Sequence, residues 1–203
     1  MGKKRAEMTD KERIHALIRG QKPDRVPIWP FAPAAFCCVH TQTSISDAYN
    51  KPDISLKAQE KTAAEFGWVY VPMLGYASYG AWEFGGTIKW PSDEYSQAPS
   101  ILTHPVNTSE DVWKLKRPEV AESGIIPLQK EFYRLASLTI LDNEPFFARV
   151  ALIDPFTIAS NIAGPAKFSK WLIKHPDAAH HLLELATEHI KAVSYTHLRA
   201  HET

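Results

Sequence analysis

Cysteine is nearly absent: the 203-residue chain carries two, Cys37 and Cys38, side by side. Adjacent thiols cannot staple distant segments, which excludes a disulfide-framed secreted fold. They also chelate one ion poorly. Cys37-Cys38-Val39-His40 has no second ligand pair, so the thiols read as buried or half-buried rather than as a metal site. Charge of one sign is equally lacking, with 23 Lys+Arg against 23 Asp+Glu. No net field draws nucleic acid or an anionic membrane. No apolar run reaches the ~18 residues of a bilayer span. The opening Met1-Gly2-Lys3-Lys4-Arg5 leads into a polar helix, not the apolar core of a signal peptide. Ala6 stands where a myristoylation signal needs Ser or Thr. Repeats and low-complexity segments are missing too. The expectation is a cytoplasmic protein with neither nucleic acid nor membrane as partner.

What is present is an ordinary globular composition, 44% hydrophobic and 23% charged. Thr9-Asp10-Lys11-Glu12 has capping-box spacing, and Ile14, Leu17 and Ile18 mark one face of a helix that Gly20 stops. After the Pro23-Asp24-Arg25 turn, Val26–Phe31 reads as a first strand. Residues 32–52 read as loop, with a short helix near Ser44–Tyr49. Asp53 is placed to cap the next helix, whose Leu56, Ala63 and Phe66 share a side until Gly67. Trp68–Met73 is the second strand. Residues 74–107 form a long excursion rich in glycine and aromatics, with short strands at Thr87–Trp90 and Ile101–His104. A loop that long is functional or an insertion. A short helix over 109–115 and a longer one over 127–138 come next.

The chain is organised around Phe146–Thr157. Its continuous apolar run, with Val150 and Ile153, marks a strand buried on both faces, ended by Asp154 and Pro155. Phe156–Gly164 reads as a loop. Helix resumes at Pro165, breaks at His175-Pro176-Asp177, and continues with Ala179, Leu182, Leu183, Ala186 and Ile190 at helical spacing. His180, His181 and His189 read as a solvated face. Strand, loop and helix in this order make an α/β protein of parallel βα units. A right-handed series of this kind needs about five more units to close an eight-fold barrel, so the expectation is an incomplete, amino-terminal portion of a TIM barrel.

In that architecture chemistry sits at the carboxyl ends of strands. Asp154 and Phe156 are placed there. Glu83 sits in the Gly- and aromatic-rich loop, where it either faces a ligand or is a plain surface carboxylate. Tyr76, Tyr79, Trp82 and Phe84 either stack on a flat macrocycle or pack that loop down.

Several segments together resemble the uroporphyrinogen decarboxylase superfamily, particularly its cobamide-dependent methyltransferase branch. They are Glu12-Arg13-Ile14, then Gly20-Gln21-Lys22-Pro23-Asp24-Arg25-Val26-Pro27, Glu83-Phe84-Gly85-Gly86 with Ile88 and Trp90, and Glu110-Asp111 with Leu115 and Pro118. Pro155-Phe156-Thr157-Ile158-Ala159 completes the set, with Gly164, Trp171-Leu172 and His175-Pro176. The resemblance covers residues 9–192 and implies a TIM barrel. It adds Asn161, standing where the family has a tyrosine, and Phe31, at the end of the first strand, to the substrate-binding candidates Asp154, Phe156 and Glu83. Catalytic residues are not assigned.

Two activities are open. Decarboxylases of the family hold substrate carboxylates with an arginine-rich segment after the first strand, whereas Phe31–His40 has no Arg or Lys. A substrate with eight carboxylates needs guanidinium partners. The family's pyrrole-binding aspartate would fall near Trp68, where no acid stands. The resemblance therefore implies a methyltransferase acting with a corrinoid (cobamide) protein and a small-molecule methyl donor or acceptor. Its zinc ligands, a His-x-Cys pair and a distant Cys, would lie beyond this chain, which itself holds none. The alternatives are a uroporphyrinogen decarboxylase with atypical carboxylate anchors and a non-catalytic truncated fragment, poorly soluble through open strand edges. Residues 194–203 resemble the translation of a sequencing adapter, so 1–193 is expected to be the barrel part and the tail foreign.

Overall fold

The computed structural model describes residues 7–30, 34–92, 98–139 and 153–199, with side chains described to Tyr195. Two compact units divide the chain, Met1–Met73 with Phe132–Arg149 and Leu74–Glu131 with Val150–Thr203.

In the first unit, α1 (Asp10–Ile18) begins on the expected capping box. Thr9 Oγ1 accepts the Glu12 N–H at 3.3 Å, and Glu12 Oε2 accepts the Thr9 N–H at 2.7 Å. Arg13 is buried on this helix. Its Nε and Nη2 donate to the two oxygens of Asp24 at 2.8 and 3.0 Å, and Nη1 to Asp10 at 2.8 Å. A planar fork against a carboxylate is a specific geometry, and it ties α1 to the turn at Pro23-Asp24-Arg25. The Arg13 guanidinium holds the Asp24 carboxyl well below the usual carboxylate range.

The segment expected as one loop over 32–52 instead contains α2 (Ala34–Thr41) as well as the anticipated short helix, α3 (Ile45–Asn50). Helix α4 (Pro52–Phe66) ends at Gly67, whose φ of +63° is the left-handed conformation that glycine adopts without strain. Asp53 is not its cap. Lys51 occupies that position without a side-chain bond, and Asp53 lies in the first turn, paired with Lys57 at 3.3 Å. Phe66 departs from the expected buried face, being half exposed and stacked on Trp68 with centroids 4.6 Å apart.

The two segments expected as the first strands form no regular ladder among the described residues. Val69 N–H donates to Ile28 O at 2.8 Å, which joins them at one point. Farther along, the Gln59 side-chain amide takes the place of a neighbouring strand. It accepts the Met73 N–H at 3.0 Å and donates to Met73 O at 2.9 Å.

The second unit carries the antiparallel hairpin β1 (Thr87–Lys89) and β2 (Ser100–Thr103), close to the expected positions, with a register irregularity between Thr87 and Ile88. Two 3-10 turns, Asp111–Lys114 and Val120–Glu122, precede α5 (Ile126–Thr139). The third expected strand lies outside the described residues except Ile153. Immediately after it the structure departs from the expected loop, because Pro155–Ala163 is a helix, α6. The reason is local. Asp154 accepts the Thr157 N–H at 2.9 Å as N-cap, and Pro155 sits at the first helical position, where its missing N–H leaves no donor unsatisfied. Helices α7 (Pro165–Lys174) and α8 (Pro176–Arg199) also open on proline. Ile158, Ile162, Phe168, Ala179 and Leu182 from these three helices are buried. Helix α8 runs without interruption through residues 194–199.

Candidate functional site

The loop of residues 74–80, which follows the second expected strand, is fastened to α6 by one side chain. Asn161 Nδ2 donates to Ala77 O at 2.9 Å and to Tyr79 O at 2.8 Å. His104 Nδ1 lies 2.8 Å from the backbone O of Asn161, so β2's trailing residue supports the same point. Gly80 comes so close to α6 that a Cβ on it would lie 2.9 Å from the Ile158 methyl. A side chain there is excluded by contact as well as by its φ of +106°.

Glu83 secures the loop from within. It is buried, with Oε2 accepting the Gly80 N–H at 2.6 Å and Oε1 accepting the Tyr76 hydroxyl at 3.0 Å and the Ile125 N–H at 3.1 Å. Burial pushes its carboxyl up, while the donors facing it favour the anion. Gly124, at φ +53°, packs its bare Cα against this carboxylate. Glu83 is therefore neither a surface carboxylate nor turned out toward a ligand. It is an internal anchor.

The remaining sequence candidates cluster around α6. Asp154 is exposed, and both of its oxygens engage Thr157, one the N–H and the other the hydroxyl at 2.7 Å. These bonds hold its carboxyl below the usual range, anionic at neutral pH. Phe156 is half exposed and meets Phe168 edge-on at 5.2 Å. Asp154, Phe156 and Asn161 thus share α6 and its cap, and Asn161 joins them to the loop that Glu83 pins. Phe31 lies outside the described residues. Among the loop aromatics, Tyr76, Tyr79 and Phe84 are buried, and Trp82 meets Trp90 edge-on at 5.5 Å.

A buried histidine escapes the sequence reading. His189 on α8 is fully buried, not part of a solvated face. Its Nε2 is hydrogen-bonded to the Tyr79 hydroxyl at 2.9 Å, and Phe84 stands edge-on at 5.1 Å. Nδ1 has no hydrogen-bond partner among the described residues. Burial, with Arg117 as a lesser cause, lowers its pKa to about 4, so the ring is neutral at pH 7. The available signal is spacing: 189 falls three after Ala186 and seven after Leu182 on the apolar stripe. By contrast His181 stacks on the exposed Trp113 at 4.7 Å.

Among the described residues no three His, Cys, Asp or Glu side chains come together as a metal site, so those residues do not fit a zinc centre. Cys37 and Cys38 are free and buried on α2. Burial raises both thiols, Cys38 to about 11, which leaves little thiolate to react. A thiol reagent such as Ellman's is therefore expected to label the native chain slowly and both cysteines at once in denaturant. Fast native labelling would contradict the packing of α2. Among the described residues no helix is long and apolar enough to cross a membrane.

Comparison with known proteins adds three findings. The family model described as Uroporphyrinogen decarboxylase (URO-D) matches residues 9–200. The methylcobamide:CoM methyltransferase MtbA of Methanosarcina acetivorans is 32% identical over 170 residues, covering 80% of this chain and 47% of the relative. A solved methyltransferase from Methanosarcina mazei superposes with a TM-score of 0.74 at 20% identity, over 96% of this chain and 57% of that one. The chain thus spans about half the length of the relatives it matches. By sequence over residues 9–200, the chain belongs to the uroporphyrinogen decarboxylase (URO-D) family, and its fold is of the TIM-barrel class.

Proposed function

We propose that the chain is the amino-terminal part of a corrinoid-dependent methyltransferase, moving a methyl group between a corrinoid protein and a small thiol or folate. The observation that carries this reading is the absence of Arg and Lys from residues 31–40, which leaves a polycarboxylate without guanidinium or ammonium partners there. The single arginine buried among the described residues, Arg13, is already committed to Asp10 and Asp24. The similarity to a methylcobamide:CoM methyltransferase supports the same reading. In transfer to a thiol, the carbon–sulfur bond forms as the cobalt–carbon bond breaks, the electron pair staying on cobalt and the thiol proton passing to solvent. In this reading Asp154, Phe156, Asn161, Glu83 and Phe31 belong to the substrate end of the barrel. Zinc is held by residues of the parent polypeptide outside these 203, residues 194–203 are foreign to it, and the parent acts in the cytoplasm.

The test is to read the native locus past Val193, express the resulting protein, and offer it methylcobalamin with coenzyme M and, separately, uroporphyrinogen. Methyl transfer to the thiol, monitored by mass spectrometry, is expected without consumption of uroporphyrinogen. Turnover of uroporphyrinogen alone would replace this reading with the decarboxylase one. A native stop codon near Val193 would end the enzyme reading altogether.

A further inference from the structure

A cleft lies wholly within the first unit, bordered by Asp10 of α1, Arg25, Glu60 and Ala64 of α4, and Trp68 and Tyr70. Its volume of about 380 Å³ falls within the roughly 300–1,000 Å³ of small-molecule sites. It shares no residue with the candidate site: Arg25 immediately precedes the first expected strand and Trp68 begins the second, whereas barrel chemistry follows the strands. The charges around it differ in how far they are committed. Arg13 takes the carboxylates of Asp10 and Asp24 at 2.8–3.0 Å. Arg25 stands outside that network. Its Nη2 is 3.7 Å from Asp10 and its Nε 4.0 Å from Glu7, beyond hydrogen-bond range, and its side chain is 45% exposed. Glu60 has no hydrogen bond or ion pair among the described residues. A Cβ on Gly67 would meet nothing within 4 Å, so there is open space next to Trp68 in the chain.

One cation and one anion with bonding capacity left, beside two aromatic rings, define a ligand by its chemistry. A guanidinium grips a carboxylate as a fork, a carboxylate takes an ammonium through charge-assisted bonds, and an indole packs against another ring. A plain anion would bring like charge to Glu60, and a plain cation would bring it to Arg25. A zwitterion with a flat apolar body meets all three features. We propose that this cleft binds a free α-amino acid with an aromatic side chain, its carboxylate on Arg25, its ammonium on Glu60 and its ring against Trp68. The site does not depend on the methyltransferase reading.

The experiment is isothermal titration calorimetry on the protein read through its native locus, with L-phenylalanine, 3-phenylpropionate and phenethylamine as probes. The second probe lacks the ammonium and the third the carboxylate. L-Phenylalanine is expected to bind with a Kd below about 1 mM, and the other two about tenfold or more weakly. Arg25→Met should weaken L-phenylalanine about tenfold and leave phenethylamine no weaker; Glu60→Gln should do the same to L-phenylalanine and leave 3-phenylpropionate no weaker. A general loss of structure would instead weaken every probe. Ala64→Trp, at an exposed position on α4, fills the cleft and should abolish binding while melting with the unaltered protein. Equal affinity for the three probes, unchanged affinity in Ala64→Trp, or no binding of L-phenylalanine at about 10 mM would each overturn the site. None of these outcomes bears on methyl transfer to coenzyme M, so failure here and failure of the proposed function are told apart.

Discussion

Glu83→Leu is expected to destabilise the folded chain by about 3 kcal/mol, a large share of the roughly 5–15 kcal/mol typical of a domain. Leucine fills much of the same space but strands three buried donors: the N–H groups of Gly80 and Ile125 and the Tyr76 hydroxyl. Each unmet donor costs roughly 1–3 kcal/mol. Relief from burying an anion offsets part of that sum, hence the lower total. Glu83→Gln should fall between, because its amide keeps one acceptor and turns a donor toward a backbone N–H. Urea midpoints would show the order Glu, Gln, Leu; a leucine variant as stable as the original would refute the anchor. Gly124→Ala supplies a cross-check, since its new Cβ would overlap the carboxylate and its φ of +53° disfavours alanine. Removing the Glu83 side chain in the same protein should relieve the overlap, so the two changes together should destabilise less than their sum.

The second large effect is on acid stability. His189 has a folded pKa of about 4 against roughly 6.5 in an unfolded chain. Between those values the unfolded chain binds the proton and the folded one does not. Stability from this residue is therefore complete above about pH 6.5 and lost as pH falls toward 4, by on the order of 3 kcal/mol. The groups facing the ring are the Tyr79 hydroxyl and the Phe84 edge, with Arg117 the charge that disfavours the imidazolium. Glu83 works in the opposite sense, since its raised carboxyl makes the folded state the better proton acceptor at mildly acidic pH. The informative quantity is thus the difference between the original protein and His189→Gln, which keeps a hydrogen bond for Tyr79 and does not titrate. That difference should shift in favour of the variant by about 3 kcal/mol between pH 7 and pH 4. Parallel pH profiles for the two proteins would sink the prediction.

Where local chemistry decides structure, it is legible in the sequence. The Thr9–Glu12 box, Gly20, Gly67, the short strands near residues 87–90 and 101–104 and the break at His175-Pro176 all stand close to where they are expected. Helix α6 is hidden because Phe156-Thr157-Ile158 continues an apolar, β-branched run from the expected strand. Asp154-Pro155 is a helix start all the same, and the capping bond outweighs the propensity. Helix α2 is hidden because Cys37, Cys38 and Val39 carry no helical polarity pattern; Cys37 and Cys38 are buried while Val39 is exposed. At the candidate site the residues are legible by type but not by direction. Asn161 and Glu83 can be named, yet that both turn inward depends on partners 82 and 42 residues away, Tyr79 and Ile125. No local pattern encodes such pairs. His189 shows the same limit, since a histidine on an apolar stripe reads as polar until its phenol partner is placed.

The Tyr79–His189 bond spans 110 residues of chain. On the ribosome, at roughly 5–20 residues per second, the loop emerges some 5–20 s before the histidine that completes its burial. Glu83 can meet Tyr76, Gly80 and Ile125 well before then, so the loop's own backbone is set first. Its aromatic side stays wet until α8 is made. For that interval Tyr79 and Phe84 lack their cover from α8 and form an exposed aromatic pair on a nascent chain, the kind of surface that chaperones hold. The exposure ends only when α8 has been made.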